Sequence, residues 1–181
     1  NSASDVTAMV NKILTYESVT LNPPGIWQQR AVYVADDCNN SAGNFHQLSN
    51  YGRLQWLPTA YTNRRVYYDN PNDSVVCPDG THSNSAPYLL RPAVRGQFDQ
   101  GALFIQWFGH GSQTQWGSPV AFQHSDNPQL IPTTQLPLTM ANACLTGYFV
   151  WKSPFTPPNY PPVYLQSLAE IMVINPNKGS L

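Results

Sequence analysis

Helical and strand-like hydrophobic patterns alternate along the chain. The first helix is predicted over residues 4–17, with Ser4 as its N-cap, and the NPPG at 22–25 ends it. Further helices are predicted over 44–57, 85–100 and 163–174, with Pro92 as a break or a first-turn residue. The apolar positions that define the first helix are Val6, Met9, Val10, Ile13 and Leu14.

Short apolar runs lie between these helices. They predict strands in RAVYVADD, RRVYYDN, ALFIQWFG and LPLTMANAC, each bounded by turn residues. Such alternation favours a mainly parallel α/β sheet with helices on both faces. In sheets of this kind, ligands bind beyond the carboxyl ends of the strands.

Two chemically active side chains follow the two most apolar strands. His110 comes directly after one of them, between Gly109 and Gly111, and Cys144 terminates the next. Adjacent parallel strands would deliver both to one sheet edge, where a thiol can act as nucleophile and an imidazole as acid and base. Taken separately, a Gly-His-Gly segment is usually a simple turn and a cysteine after an apolar strand is usually a core residue.

The low content of charged residues argues against two classes of binding partner. The chain has 181 residues, enough for a single domain, and only 10% of them are charged, with a formal net charge of −1. This argues against nucleic acids and anionic membranes, which need basic patches. No apolar segment is long enough to span a membrane, and no signal peptide is visible. The 17 prolines, ten tyrosines and five tryptophans favour an extracellular or cell-surface protein.

The chain has three cysteines, an odd number, so at least one cannot pair with another within the chain. Cys38 and Cys77 stand in polar loop contexts, so in an oxidising compartment we expect them to form a disulfide and leave Cys144 as a free thiol. The alternative is a cytosolic protein with three unpaired thiols.

Other chemistries find less support. The remaining histidines have no zinc-ligand spacing, and Ser112 is not in a nucleophile elbow. Trp116 is interpreted first as a cover over the turn and second as part of a substrate cleft.

Four segments together resemble a known family. GHGSQTQWG and ANACLTGYF, with VNKILTYE upstream and SLAE downstream, look like the catalytic domain of the gingipains, cysteine peptidases of family C25. The resemblance runs in order over residues 6–172. It implies a caspase-like fold and a cysteine endopeptidase that acts on protein or peptide substrates through a thioester, with no cofactor needed for the chemistry.

The resemblance also implies roles for individual residues. His110 matches the catalytic histidine and Cys144 the nucleophile, and the N–H groups of Gly111 and Cys144 would line an oxyanion hole. Asp36, at the end of the first strand, is the nearest match to an acid that the family places near the histidine. Its neighbour Asp37 is adjacent, and either carboxylate could instead cap a turn or bind calcium.

Two features depart from the family pattern. Arginine-specific gingipains place a substrate-binding aspartate in the loop after the first strand, where this chain has Gly43 and its neighbours. A strict arginine preference is therefore not expected unless a missing downstream segment supplies the acid. DNPNDS at 69–74 offers oxygen ligands for a structural calcium ion, but it lacks EF-hand spacing and is interpreted as a solvated loop, so the metal ligands are left open.

The resemblance stops where a further strand is expected to begin, at GSL. We therefore expect residues 1–181 to form a single catalytic domain that is incomplete at its C-terminal end. A missing segment or a second chain would complete the sheet. The competing hypothesis is an inactive member of the same fold that serves as a surface-layer or binding module.

Overall fold

A four-stranded parallel sheet forms the centre of the molecule. The structure, a computed structural model, describes residues 2–20, 25–69, 77, 87–149 and 166–181. The strands are β1 (Arg30–Ala35), β2 (Thr62–Tyr67), β3 (Phe104–Phe108), β4 (Gln115–Trp116), β5 (Phe122–Gln123) and β6 (Leu138–Asn142). The sheet has the order β2-β1-β3-β6, and the short antiparallel pair β4-β5 lies between β3 and β6 in sequence.

Helices cover both faces of the sheet, which confirms the predicted mixed α/β class. One α-helix connects β1 to β2 and another connects β2 to β3, because successive parallel strands start at the same end of the sheet. Between β3 and β6 the chain passes instead through the β4-β5 pair and a 3-10 helix. The helices are α1 (Ala3–Thr20), α2 (Phe45–Trp56), α3 (Pro87–Asp99) and α4 (Leu168–Ile174), with short 3-10 helices at Ile26–Gln29 and His124–Gln129.

Alternate residues of the central strands fill two separate cores. On one face, Tyr33 and Tyr67 pack with Phe45 from the start of α2. On the other, the strands pack against α3 and the β4-β5 pair, and Trp107 stacks on Trp116 with ring centroids 5.9 Å apart. Because β1 has a core on each side, five of its six residues are buried, which explains its unbroken apolar sequence.

The first helix differs from its prediction at its cap. Ser4 lies inside α1, and the hydroxyl of Ser2 accepts the N–H of Asp5 at 3.2 Å, so the predicted cap was two residues too late. Four apolar side chains of this helix are exposed: Val6, Val10, Ile13 and Leu14. Lys12, in contrast, is buried and donates to the carbonyl of Met172 at 2.8 Å.

Two other helices also differ from their predictions. Pro92 is the sixth residue of a continuous α3, so it neither breaks the helix nor lies in its first turn. The last helix begins at Leu168 rather than near 163, because Ser167 caps it by accepting the N–H of Glu170. Residues 163–165 of that prediction, and most of the 69–74 loop, lie outside the described residues.

β6 is an edge strand among the residues that the structure describes. Leu138 and Met140 are about half exposed, in contrast to the buried residues of β1. The chain returns to this strand at residues 180–181, where the Leu181 N–H donates to the Pro137 carbonyl at 3.1 Å. The strand expected at GSL stays a prediction. None of the helices in the described part of the chain has the length and apolarity to cross a membrane.

Candidate active site

The pairing of β3 with β6 aligns the two candidate catalytic residues. Phe108 is the register partner of Asn142, and the next residue, Gly109, donates its N–H to the Asn142 carbonyl at 3.4 Å. His110 and Cys144 each lie two residues beyond this pair. Both are therefore at the carboxyl edge of the sheet, and both are exposed.

Hydrogen bonds on both sides hold the main chain of His110 in place. Its N–H donates to Oδ2 of Asp36 at 3.2 Å. Its carbonyl accepts the indole N–H of Trp107 at 3.0 Å and the N–H of Gly117 at 2.9 Å. The backbone that carries the imidazole is thus tied to β1, to β3 and to the turn after β4.

The imidazole itself contacts the loop that follows β1. Its Nε2 lies 3.1 Å from Oδ1 of Asn40, and the ring of Phe45 meets it edge to face, with centroids 5.5 Å apart. Neither contact was predicted from the sequence. Asn40 stands in a run of polar residues that looks like an ordinary loop, and a tertiary contact of this kind leaves no periodic pattern.

Asp36 is close to the histidine, as the resemblance implies, but it contacts the histidine backbone. The side chain is only 3% exposed, and its two oxygens accept the N–H groups of Asp37 and His110. Burial raises the pKa of Asp36, and the two hydrogen bonds partly oppose that rise. We infer that this carboxylate fixes the histidine loop to β1.

The glycines on either side of His110 permit close approach. A methyl group built on Gly109 would lie 2.5 Å from both Cβ of Asp36 and Cζ2 of Trp107. One built on Gly111 would lie 2.8 Å from the Cys144 carbonyl oxygen. Real Cβ contacts are longer than this, so a side chain at either position would force the neighbouring atoms to move. The histidine loop therefore packs directly against the β1 end on one side and the cysteine loop on the other.

The cysteine loop has a constrained backbone. Leu145, directly after Cys144, has a φ of 53°, a left-handed conformation that is uncommon for a residue with a side chain. The Thr146 hydroxyl donates to the Cys144 carbonyl at 3.3 Å, and the Thr146 carbonyl accepts the N–H of Ala169 at 3.2 Å. The loop is thereby connected to the first turn of α4.

The predicted disulfide is present. Cys38 and Cys77 are bonded, with Cα atoms 5.8 Å apart, and Cys144 is the free thiol, as expected from the sequence. The bond joins the loops at the carboxyl ends of β1 and β2, which are neighbouring parallel strands. It therefore anchors the loop that carries Asn40.

The predicted substrate-binding residues lie in different surroundings. Trp116 is fully buried in the core and borders a cavity of about 230 Å³ between β6 and α4, beside Ala143 of the cysteine loop. Gly43 has a φ of 132° in the loop after β1. The next residue, Asn44, accepts the N–H of Gln47 at 2.8 Å and caps α2. Contact of Trp116 or Gly43 with a substrate stays a prediction.

Calcium has a partial set of ligands at one place. Carboxylate oxygens of Asp37 and Asp69 lie within 4.8 Å of each other and of the sulfur of Cys77, and all three residues are buried. Calcium takes six to eight oxygens, and the sulfur belongs to a disulfide. The two carboxylates alone supply fewer oxygens than calcium takes, so structural calcium stays a prediction.

Solved structures of known proteins share the fold of this chain. The chain is similar over 99% of its length to the solved structure of the Arg-specific cysteine proteinase gingipain R (RgpB), at 20% sequence identity and a TM-score of 0.64. It is also similar to the complex of the Porphyromonas gingivalis RgpB pro- and mature domains, at 20% identity, 99% coverage of this chain and a TM-score of 0.66.

The chain spans about a third of those proteins, since it covers 36% and 37% of their chains. No curated protein matches it significantly. The model of peptidase family C25 matches residues 1–181, the whole chain. The chain therefore belongs to peptidase family C25.

Proposed function

We propose that this protein is a cysteine endopeptidase in which Cys144 is the nucleophile and His110 the general acid and base. One observation carries the proposal: the two residues have the same offset from a register pair of adjacent parallel strands, at the exposed edge of the sheet. Parallel α/β sheets place their reactive groups at this edge.

The proposed reaction has two steps. The imidazole takes the thiol proton, and the thiolate attacks the carbonyl carbon of the scissile peptide bond. As the carbon–nitrogen bond breaks, the imidazolium gives its proton to the departing amine, which leaves a thioester on Cys144. Water then attacks the thioester with its proton passing to His110, and that proton returns to the thiolate when the acid product leaves.

Backbone N–H groups of Gly111 and Cys144 are the proposed oxyanion hole. Around the bridge between Gly111 and Trp116, the hydrogen bonds are made by the residues on either side, with Ser112 donating to Gln115 and Gly117 to His110. In an antiparallel pair of this type, the N–H of the bridge residue points away from the partner strand. This supports a Gly111 N–H that faces the cysteine side.

Export of the protein is part of the same proposal. The Cys38–Cys77 disulfide supports an extracellular or cell-surface location, because cytosolic thiols are kept reduced. The half-exposed residues of β6, with residues 180–181 alongside, support a further segment or second chain that completes the sheet. Structural calcium remains a prediction outside the proposed chemistry.

The proposed specificity excludes a strict arginine preference unless such a segment supplies a carboxylate. A guanidinium in a pocket needs a paired acid, since an unpaired buried charge costs several kcal/mol. Asp36 accepts two backbone N–H groups, and Asp37 is 6% exposed and accepts the N–H of Asn39. Both carboxylates are thus buried and engaged by backbone N–H groups, which supports the expected absence of a strict arginine preference.

A peptide library varied at the residue before the cut measures this preference. We expect arginine to be selected less than about tenfold over uncharged residues of similar size. Strong arginine selection that disappears in Asp36→Asn or Asp37→Asn would contradict the assignment of these acids. Arginine selection that survives both substitutions would assign the acid to a segment beyond them.

Selective alkylation tests the proposed nucleophile. At pH 7, iodoacetamide is expected to modify Cys144 rapidly and to spare the disulfide-bonded Cys38 and Cys77, with mass mapping as the measurement. An unassisted thiol is only a few per cent thiolate at this pH, so His110→Ala should slow the reaction by about tenfold or more.

Unfolded protein provides the control for that experiment. In urea, where no imidazole is held beside the thiol, the parent chain and His110→Ala should react at the same rate. A folded protein in which Cys144 is inert, or reacts equally fast without His110, would remove the basis of the proposal.

A further inference from the structure

We propose that Asn40 is a positioning residue for the histidine. Its side-chain oxygen accepts Nε2–H of the His110 imidazole and so leaves Nδ1 as the nitrogen that exchanges a proton with Cys144. The inference rests on the peptidase function proposed above. It adds a third group to the site, from a loop whose polar sequence carried no catalytic pattern.

The orientation of the Asn40 amide follows from a second hydrogen bond. Oδ1 of Asn40 accepts the backbone N–H of Ala42 at 2.9 Å. A backbone N–H only donates, so the atom that faces it is the amide oxygen and not the NH₂ group. That same oxygen lies 3.1 Å from Nε2 of His110. An amide oxygen only accepts, and Nε2 must therefore carry the hydrogen.

This assignment determines the chemistry of the other ring nitrogen. A neutral imidazole carries one N–H and one lone pair, so a hydrogen on Nε2 places the lone pair on Nδ1. Nδ1 is then the atom that can accept the thiol proton. When the imidazolium forms, Nε2–H keeps its acceptor, and the ring does not need to turn between the two steps of the reaction.

A neutral amide performs this role because the nearby acid is engaged elsewhere. Asp36 binds the backbone N–H of His110, which positions the main chain and leaves rotation of the ring unconstrained. The ring is constrained instead by Asn40 at Nε2 and by Phe45, which meets it at 77°. Asn40 belongs to the loop between β1 and α2, and Phe45 is the first residue of α2.

That loop is itself held firmly. The carbonyl of Asn40 accepts the N–H of Gly43 at 2.9 Å, and the Phe45 N–H donates to the Asp37 carbonyl at 3.4 Å. Two residues before Asn40, the disulfide of Cys38 attaches the loop to Cys77. The amide oxygen is therefore presented to His110 from a fixed backbone.

Kinetics on the intact protein provide the first test. Asn40→Ala is expected to lower kcat by about tenfold to a hundredfold with KM nearly unchanged, because acid-base catalysis weakens while substrate contacts remain. Asn40→Asp keeps an oxygen acceptor for both N–H groups and should recover most of that loss. Asn39→Ala removes the same amide from an exposed neighbouring position and should leave kcat unchanged.

Nitrogen NMR of the imidazole provides the second test and needs no hydrolysis. The protein is labelled with ¹⁵N-histidine in the Cys144→Ala background, and the His110 signals are assigned by their absence in His110→Ala. We expect a protonated Nε2 whose N–H exchanges slowly with water. In Asn40→Ala that N–H signal should broaden or vanish through faster exchange, and in Asn40→Asp it should persist.

The two tests separate this inference from the proposed function. A proton on Nδ1 instead of Nε2, or an Nε2–H signal unaffected by Asn40→Ala, would overturn the positioning role. So would hydrolysis that needs Cys144 but keeps its full kcat in Asn40→Ala. If no peptide is hydrolysed while the Nε2–H signal depends on Asn40, the positioning role stands and the peptidase proposal fails.

Discussion

Replacing Cys144 with alanine is expected to abolish peptide hydrolysis, with kcat/KM falling on the order of ten thousandfold or more. The side chain is exposed, so its removal leaves no cavity, and the melting temperature should be unchanged. The loss arises because neither the thioester nor the thiolate–imidazolium pair can form. Initial rates on a casein-derived peptide mixture, measured for both proteins at equal concentration, provide the comparison.

Ser112→Ala is the control for this prediction. Its hydroxyl lies two residues after His110 and accepts the N–H of Thr114, so it is the nearest alternative nucleophile in sequence. We expect its removal to change the rate less than threefold, as for a surface polar substitution. Hydrolysis that survives in Cys144→Ala but not in Ser112→Ala would assign the chemistry to the serine. A parent protein that cleaves nothing would favour the inactive binding module.

The positions of His110 and Cys144 were predictable because they depend on strand order and length. Each follows an apolar run of strand length, and adjacent parallel strands end at one edge. The disulfide between Cys38 and Cys77 was predictable for the same reason, since both residues stand after strands that pair directly. An apolar run in the sequence shows where a strand ends, and in a parallel sheet the ends of adjacent strands lie side by side.

Contacts that depend on loop conformation were not predictable in this way. The amide of Asn40 reaches His110 across 70 residues, and nothing in the polar run around it distinguishes it from Asn39. The β4-β5 pair has two residues in each strand, too few for a periodic pattern to appear. The cap of α1 was misplaced because Ser2 and Ser4 are both typical N-cap residues.

The role of Asp36 was predicted only in part. The resemblance placed an acid near the histidine, and the structure places it at the main-chain N–H of that residue. A carboxylate at the end of a buried strand can reach either the ring or the backbone of the next loop. Which one it reaches depends on how closely the loops approach, and here the side-chain-free Gly109 brings them together.

Gly111→Ala is expected to lower kcat/KM by about a hundredfold while the protein remains folded. The added methyl group would lie 2.8 Å from both the Cβ of Ala143 and the carbonyl oxygen of Cys144, and 2.7 Å from the hydroxyl of Thr146. Two of these atoms are fixed to the backbone, so the cysteine loop must move away from the histidine loop. A displacement of about 1 Å between reacting groups is enough for a loss of this size.

Gly96→Ala is the matched control, because a methyl group on that helical glycine would meet no atom within 4 Å. We expect it to keep full activity and to stabilise the protein by about 0.5–1 kcal/mol, since alanine is the better helix former. Gly111→Ala should instead destabilise it by about 1–3 kcal/mol through overpacking, measured by urea unfolding.

The loss of activity in Gly111→Ala has two possible causes, which a second measurement separates. If the loss of activity came only from unfolded molecules, lowering the temperature or adding stabilising sulfate would restore it. A rate that stays low in fully folded Gly111→Ala would support separation of the two loops as the cause, and a rate equal to that of Gly96→Ala would show that the site does not depend on this contact.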